Sequence, residues 1–298
     1  MEFKELEKQD KHILDTFFQN DYHENARLNF TNLYLWRKPY HVRWAIDHEV
    51  LYMVCKYNGK LMALQPLGSI NKTKKAISTI IDYFDQSGFP LYFSGLEESF
   101  AKQLERYHNA DFVLGSDRDD ADYVYAMEDL LTLAGRKFQS KRNHINSFKQ
   151  TYPQAQYLPI TDEIIPQCRD FLESWYKIYN QKNPGDPFIK VEKAGLFEIL
   201  DDFQYFKLKG GVLMIDNEVV ALSIGEQLND DTAVIHIEKA HASIRGAYPM
   251  INQQFVENEW QSMTYINREE DMGLEGLRKA KESYQPVKMI SKYHATLA

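Results

Sequence analysis

The sequence predicts a mixed α/β protein built from two tandem, similarly folded lobes, each a hairpin-rich sheet flanked by helices. Three observations carry this expectation. Segments with the period-two hydrophobicity of half-buried strands alternate with segments of 3.6-residue period along the whole chain. Asn58-Gly59 and Asp216-Asn217 each lie between two apolar runs, VLYMVCKY before KLMAL and GGVLMI before EVVAL, the pattern of a tight hairpin. NGKLMAL at 58–64 also matches DNEVVAL at 216–222, which suggests that the second half repeats the first. The 298 residues are enough for two domains, and the boundary is placed between lobes 1–134 and 135–298.

Within the first lobe, 6–20 reads as an amphipathic helix and 25–34 as a second, ending before Trp36 and Pro39. HVRWAIDH, EVLYMVCKYNG and KLMALQPLG read as three strands. A helix over 74–86, the strand LYFSG, a helix over 97–107 and the run DYVYAM complete the lobe. A basic helix, 135–150, opens the second lobe. It is followed by the strand AQYLPI, a long helix over 162–182 with Phe171, Trp175 and Ile178 on its inner face as core, the loop NPGDP, a helix over 191–200, and a strand FQYFKLKG leading into the second hairpin.

Bulk properties narrow the function. Hydrophobic residues make up 44% and charged residues 26%, the balance of a soluble globular protein, and the net charge of −8 argues against a nucleic-acid coat or a polybasic membrane anchor. Two cysteines, Cys55 and Cys168, lie far apart without metal-ligand spacing, so neither a disulfide framework nor a metal site is expected. The charged N-terminus has no signal-peptide core and no run reaches membrane-spanning length, which predicts a cytoplasmic protein without a transmembrane segment.

Against this acidic background the helix 135–150 stands out. It carries Arg136, Lys137, Lys141, Arg142 and Lys149 and no acidic residue, and Lys141, Arg142 and Lys149 fall within or beside the arc of its apolar residues Phe138, Ile145 and Phe148. It reads as a polyanion contact, or else as a basic helix that pairs with acidic neighbours.

The chemistry concentrates in 234–293. In VIHIE, alternation places Val234, His236 and Glu238 on one face of a strand and Ile235 and Ile237 on the other. His236 and Glu238 are a pair able to move a proton near neutral pH, unless that face is merely solvated. Arg245 and Gly246 then precede a helix opened by Pro249, a candidate anion site at a helix start. In LEGLRKAKESY, Leu274, Leu277, Lys281 and Tyr284 share one face, so Lys281 lies in an apolar stripe, where it either snorkels to water or holds an anion. Glu269, Glu270 and Asp271 precede this helix, with Asp271 and Glu269 also suited to capping it or meeting its dipole.

GRKFQSKRNHINSFKQTYPQAQY and EGLRKAKESYQPVKMISKYHA together resemble the C-terminal catalytic domain of the phosphatidylglycerol lysyltransferases. The later pattern comprises Gly276, Leu277, Arg278, Lys281, Tyr284, Pro286, Lys292 and Tyr293. The resemblance implies two lobes of the GCN5-related N-acetyltransferase (GNAT) fold, as in Fem-type peptidyl transferases. It implies an aminoacyl-tRNA donor whose 3′ end and phosphates are held by basic residues such as Arg142 and Lys281. The multi-span membrane domain of the full-length lipid synthases has no counterpart in this sequence, and the acetyl-CoA loop of that fold is represented by Arg245, Gly246 and Ala247 alone.

The resulting expectation is transfer of an acyl or aminoacyl group to an amine, hydroxyl or lipid acceptor. Glu238 is the base or orienter assisted by His236, Tyr284 the acid for the leaving group, and Lys141, Arg142, Arg245, Gly246, Arg278 and Lys281 the donor-phosphate residues, with Glu270 and Asp271 on the acceptor side. No metal and no tightly bound cofactor is expected. The donor is aminoacyl-tRNA or, alternatively, acyl-CoA; the further alternative is a non-catalytic protein that binds RNA or a phosphorylated metabolite. Lys281→Met is expected to abolish turnover and leave folding intact.

Overall fold

The two hairpin turns form as their sequences require. Asn58 and Gly59 have φ of 49° and 80°, and Asp216 and Asn217 have 51° and 67°, the left-handed pair whose twist matches that of the flanking strands. The computed structural model describes residues 1–20, 22–69, 72–107, 110–186 and 189–298; the loop NPGDP therefore ends, at Pro187, outside the described residues. In chain order the strands are β1 (Lys4–Glu5), β2 (Arg43–Asp47), β3 (Val50–Tyr57), β4 (Lys60–Ala63), β5 (Tyr92–Leu96), β6 (Phe112–Ser116), β7 (Asp122–Ala126), β8 (Gln156–Pro159), β9 (Lys209–Ile215), β10 (Glu218–Gln227), β11 (Thr232–Ala240), β12 (Tyr265–Asn267), β13 (Lys288–Ile290) and β14 (Tyr293–Leu297). The helices are α1 (Lys11–Phe18), α2 (Phe30–Tyr40), α3 (Thr73–Ser87), α4 (Glu98–Glu105), α5 (Met127–Thr132), α6 (Gln139–Thr151), α7 (Ile165–Lys182), α8 (Ile189–Asp201), α9 (Phe203–Phe206), α10 (Ala247–Glu259) and α11 (Glu275–Glu282).

The strands form two seven-stranded sheets, ordered β1-β2-β3-β4-β5-β14-β6 and β13-β7-β12-β11-β10-β9-β8. Each repeats one plan. In the first, β1 to β4 are antiparallel neighbours, β5 returns parallel to β4 after α3, and β14 lies antiparallel to β5. In the second, β8 to β11 are antiparallel, β12 returns parallel to β11 after α10, and β7 lies antiparallel to β12. Two similarly folded lobes are thus present, but their alignment differs from the one suggested by the two hairpins. Asn58-Gly59 joins β3 to β4, directly before the crossover helix, whereas Asp216-Asn217 joins β9 to β10, one strand earlier. Its positional counterpart is the His48-Glu49 turn between β2 and β3, also left-handed at 48° and 62°. The NGKLMAL and DNEVVAL likeness reflects shared turn chemistry.

The chain divides into two compact units, Met1–Ala121 with Ile290–Ala298, and Asp122–Met289. The sequence placed the change of lobe after residue 134 and kept the C-terminus in the second lobe. The difference comes from two strands. β7 pairs with β12 of the second sheet, and β14 pairs with β5 and β6 of the first.

Other departures have local causes. α2 runs through Trp36 to Tyr40 because Pro39 falls in its last turn and His41 closes it in the left-handed region; its start is fixed by Asn29, whose side chain accepts from the Asn32 N–H. FQYFKLKG begins as the helical turn α9, since Phe203 and Phe206, three apart, are both buried; the strand starts at Lys209. In the second unit α5, α6 and α10 cover a core of Tyr123, Tyr125, Phe138, Ile145, Phe148, Ile251 and Phe255. α10 starts on Gly246, at φ 87°, where a Cβ would stand 2.3 Å from the His144 carbonyl oxygen of α6. Gly246→Ala is expected to lose about 2 kcal/mol, lowering the midpoint of thermal unfolding by about 4–8 °C. An unchanged midpoint in circular dichroism would contradict the close approach of α6 to this turn.

Candidate active site

β11 does not keep strict alternation across the residues that matter. Ile224 of β10 faces Ile237 and the next residue, Gly225, faces Ile235, so His236 is the extra residue of a β-bulge. Gly225 permits it, because a Cβ there would stand 2.3 Å from the Val234 carbonyl oxygen. Val234 lies opposite Glu226 and Glu238 opposite Ser223, and these partners, three apart on β10, point to opposite faces. Val234 and Glu238 therefore do not share the single face that the sequence implied. The bulge separates His236 and Glu238 into two networks.

His236 is sealed between two carboxylates. Its Nε2 lies 3.0 Å from Glu226 Oε1 and its Nδ1 2.8 Å from Glu269 Oε1, with 2% of the side chain exposed. Burial pulls its pKa down, but the hydrogen bonds to Glu226 and Glu269 outweigh that and carry it up to about 9. It is an imidazolium with both N–H groups engaged, so the expected role of accepting a proton beside Glu238 does not suit it.

Glu238 is held from two sides. Arg268 Nη2 donates to Oε1 at 2.8 Å, and Asn252 Nδ2, from α10, donates to Oε2 at 2.9 Å. Each clamp residue keeps one buried polar atom without a partner, Arg268 Nη1 and Asn252 Oδ1. Buried polar atoms are rarely left so, and two beside one carboxylate mark where a ligand would bond. Neither residue was anticipated. Asn252 is a polar residue on a buried helix face beside Ile251, and Arg268 a cation set between a strand and an acidic run; those were the available signals.

Tyr284 forms the aromatic floor next to this clamp. Lys141 Nζ lies 3.8 Å from its ring centroid and the Arg268 guanidinium 4.9 Å, while Tyr125 meets it edge-on at 6.4 Å. Among the described residues Lys141 has no hydrogen bond or ion pair; burial, then repulsion by Arg268, lower its pKa to about 8 against the pull of Glu238. The Tyr284 phenol is held protonated by burial, opposed by Arg268 and reinforced by Glu238.

Most of the remaining expected residues have structural duties. Lys281 is buried and its ammonium donates to the backbone carbonyls of Arg268, Glu269 and Glu270, at 2.5, 3.0 and 2.5 Å. All three donors are used, so it holds the chain after β12 rather than a phosphate, and Lys281→Met should destabilise the fold as well as the site. Burial and Arg268 lower its pKa to about 8, with Glu269, Glu270 and Asp122 opposing. Its helix face is not an apolar stripe, since Leu274 and Leu277 are exposed. Asp271 is fully buried and saturated. It accepts from Tyr123 Oη, from Gly273 N and, through both oxygens, from Arg278, bonds that hold its pKa well below the usual carboxylate range, Arg278 foremost. Neither Asp271 nor Arg278 faces a ligand through these atoms. Glu270 contributes its carbonyl to Lys281. Arg142 caps α5 by donating to the Leu133 and Gly135 carbonyls. Arg245 is exposed, and the space at Gly246 is taken by α6. Lys141, Glu238 and Tyr284 are thus the expected residues that the fold gathers at one place.

Residues 20–296 match the family described as phosphatidylglycerol lysyltransferase, C-terminal. The chain belongs to this family. Its fold agrees: a conserved protein of unknown function from Bacteroides thetaiotaomicron is 36% identical with a TM-score of 0.92 over 99% of both chains. The L-PGS of Bacillus licheniformis has a TM-score of 0.66 at 18% identity over 96% of this chain and 91% of its own. A tandem GNAT protein from the clavulanic acid pathway has 0.50 at 8% identity, over 99% and 98%. Among curated proteins, an uncharacterised protein of Mycoplasmoides gallisepticum is 25% identical over 174 residues, 58% of this chain, and the match spans about half (54%) of that relative's length. The family is thus that of the lysyl-phosphatidylglycerol synthase C-terminal domain, and the two-lobed fold is shared with tandem GNAT proteins. Among the described residues no helix is long and apolar enough to cross a membrane.

The His236 network makes stability depend on pH. Because its pKa is raised from 6.5 to about 9 on folding, its contribution is fully present below pH 6.5 and is lost as pH rises through about 9. The unfolding midpoint of the protein should fall over that window, and that of His236→Gln should fall less. Parallel curves for the two proteins would contradict the buried imidazolium.

Proposed function

We propose that the second unit transfers an aminoacyl group from an aminoacyl-tRNA to an amine, hydroxyl or lipid acceptor, and that Glu238, Arg268, Asn252, Tyr284 and Lys141 carry the reaction. The supporting observation is the pair of unpartnered atoms, one donor and one acceptor, on either side of Glu238. The Arg268 Nη1 donor suits the carbonyl oxygen of the donor ester, on which negative charge develops, and a buried donor is most effective at that position. The Asn252 Oδ1 acceptor suits an N–H or O–H of the acceptor. Glu238, oriented by its two donors, takes the proton that the acceptor loses.

In this reading the acceptor lone pair attacks the carbonyl carbon, a new C–N or C–O bond forms, and the ester C–O bond to the ribose breaks. The Tyr284 phenol supplies a proton to the departing oxygen and is reprotonated from solvent, while Glu238 releases its proton there. No enzyme-bound acyl intermediate is required, and positioning with charge stabilisation does most of the work. Lys141, which has no acceptor among the described residues, meets a phosphate of the donor. The family supports aminoacyl transfer; the use of the Gly246 space by α6 disfavours an acyl-CoA donor, which would otherwise be cradled at that loop.

Transfer is measured with labelled aminoacyl-tRNA and, separately, acetyl-CoA, against phosphatidylglycerol vesicles and soluble amines. Glu238→Gln should lower the rate by about 10²–10⁴ and Arg268→Lys by about 10²–10³, in variants shown by melting to be folded. Wild-type rates in both would overturn the assignment, and turnover with acetyl-CoA alone would replace the donor. Because the pKa of Lys141 is about 8, donor KM should rise as pH passes upward through that value. Lys141→Met should show a high KM without this pH step.

A further inference from the structure

One face of α7 is unlike a core face. Trp175, Ile178, Tyr179 and Lys182 recur at i, i+3, i+4 and i+7 and so line one side of the helix, yet Ile178 is 41% exposed and Trp175 and Tyr179 are only half-buried. The sequence assigned Trp175 and Ile178 to the interior. Instead, Trp175 and Tyr179 stack at the surface, with centroids 5.0 Å apart and planes 17° from parallel. The inner ring is held by three contacts. Trp175 Nε1 donates to the Ala240 carbonyl at 3.1 Å, Tyr176 meets it edge-on, and Lys239, paired with Glu192 at 2.7 Å, places its ammonium 4.0 Å from the indole centroid. The outer ring is fixed through its hydroxyl, which donates to Asp186 at 3.1 Å. Tyr248, in the first turn of α10 and 36% exposed, completes the group. Burial raises the Tyr248 phenol, the Ala240 backbone and the Trp175 side chain oppose it, and Glu238 adds to it.

We propose that the Trp175–Tyr179 stack, with Tyr248, is a platform for the purine base of the donor's terminal nucleotide, and that Lys182 and Arg245 meet its phosphate. Rigid, partly open aromatic stacks are how proteins hold an unpaired base without reading its sequence. Charge agrees, since Lys182 and Arg245 are both exposed and have no hydrogen bond or ion pair among the described residues. Spacing decides between sources of such a nucleotide. Ala240, to which Trp175 is bonded, is two residues beyond Glu238 on β11, about 7 Å at strand rise. In a ribose ester about five bonds separate the reacting carbonyl from the base, whereas in an acyl-CoA about twenty do, at roughly 1.5 Å per bond. The short interval fits an acyl group carried on the ribose of a terminal adenosine. This inference rests on the reading of Glu238 as the point of transfer.

The test uses AMP as the probe, with saturation-transfer NMR titrations on the whole protein. AMP should bind, Tyr179→Phe should keep its affinity within about twofold because the ring remains, and Tyr179→Ala should weaken it about tenfold. In transfer assays Tyr179→Ala should raise KM for aminoacyl-tRNA about tenfold with kcat little changed. Equal AMP affinity in wild type and Tyr179→Ala overturns the platform. CoA binding more than tenfold tighter than AMP, and lost in Tyr179→Ala, overturns the ribose-ester assignment and gives the stack to coenzyme A. Glu238→Gln separates the two readings: it should still bind AMP although transfer is lost. If it loses transfer while neither it nor the wild type binds AMP, the platform falls and the transfer reading stands.

Discussion

The ammonium of Lys281 is the constraint on which the site depends. A buried lysine is costly unless its three N–H groups are bonded, and here three successive carbonyls, those of Arg268, Glu269 and Glu270, converge on it. The convergence bends the chain sharply after β12; Glu269 and Met272 both adopt left-handed φ, 55° and 54°, a conformation unfavourable for side chains of their kind. Asp271, bonded by Tyr123 and Arg278, secures the far end of the bend. From this short arch Arg268 reaches Glu238 and Glu269 reaches His236. Both networks of β11 are therefore set by a cation that touches neither carboxylate through its own ammonium.

The two units fill the corresponding region of this plan differently. In both, a parallel strand follows the crossover helix and its pairing is brief: β4 meets β5 at Ala63 and Phe93, and β11 meets β12 over Thr232–Val234. In the first unit several polar groups beyond that point bond one another. Gln65 accepts from the Glu97 N–H at 3.0 Å and donates to its carboxylate at 3.1 Å, and His23 approaches the same carboxylate at 2.9 Å. In the second unit the equivalent region leaves Arg268 Nη1 and Asn252 Oδ1 unpartnered. The same plan thus places a web of Gln65, Glu97 and His23 in one lobe and the clamp of Arg268 and Asn252 on Glu238 in the other.

Much of this was legible in the sequence, and the limits are instructive. Periodicity and turn residues located most strands and helices, because hairpins such as Asn58-Gly59 and burial of Phe138, Ile145 and Phe148 are decided locally. Glu238, Lys141 and Tyr284, which the fold brings together, are each chemically conspicuous where they stand in the sequence. The faces of β11 were misjudged because a bulge depends on the partner strand, and nothing in VIHIE reveals that Gly225 lies opposite it. Lys281 drew notice for a sound reason, a charge among buried positions, but sequence does not show that its anion-like partners are backbone carbonyls. Arg268 and Asn252 acquire meaning only when a loop and a helix meet at one carboxylate.

The return of β14 to the first sheet orders events during synthesis. Residues 293–297 pair with strands made some two hundred residues earlier, so on the ribosome the first sheet must wait, with β5 and β6 lacking the strand between them, while the entire second unit emerges. The first sheet is thus closed by a strand that follows the whole second unit in the chain, so its folding cannot be completed by its own N-terminal segment.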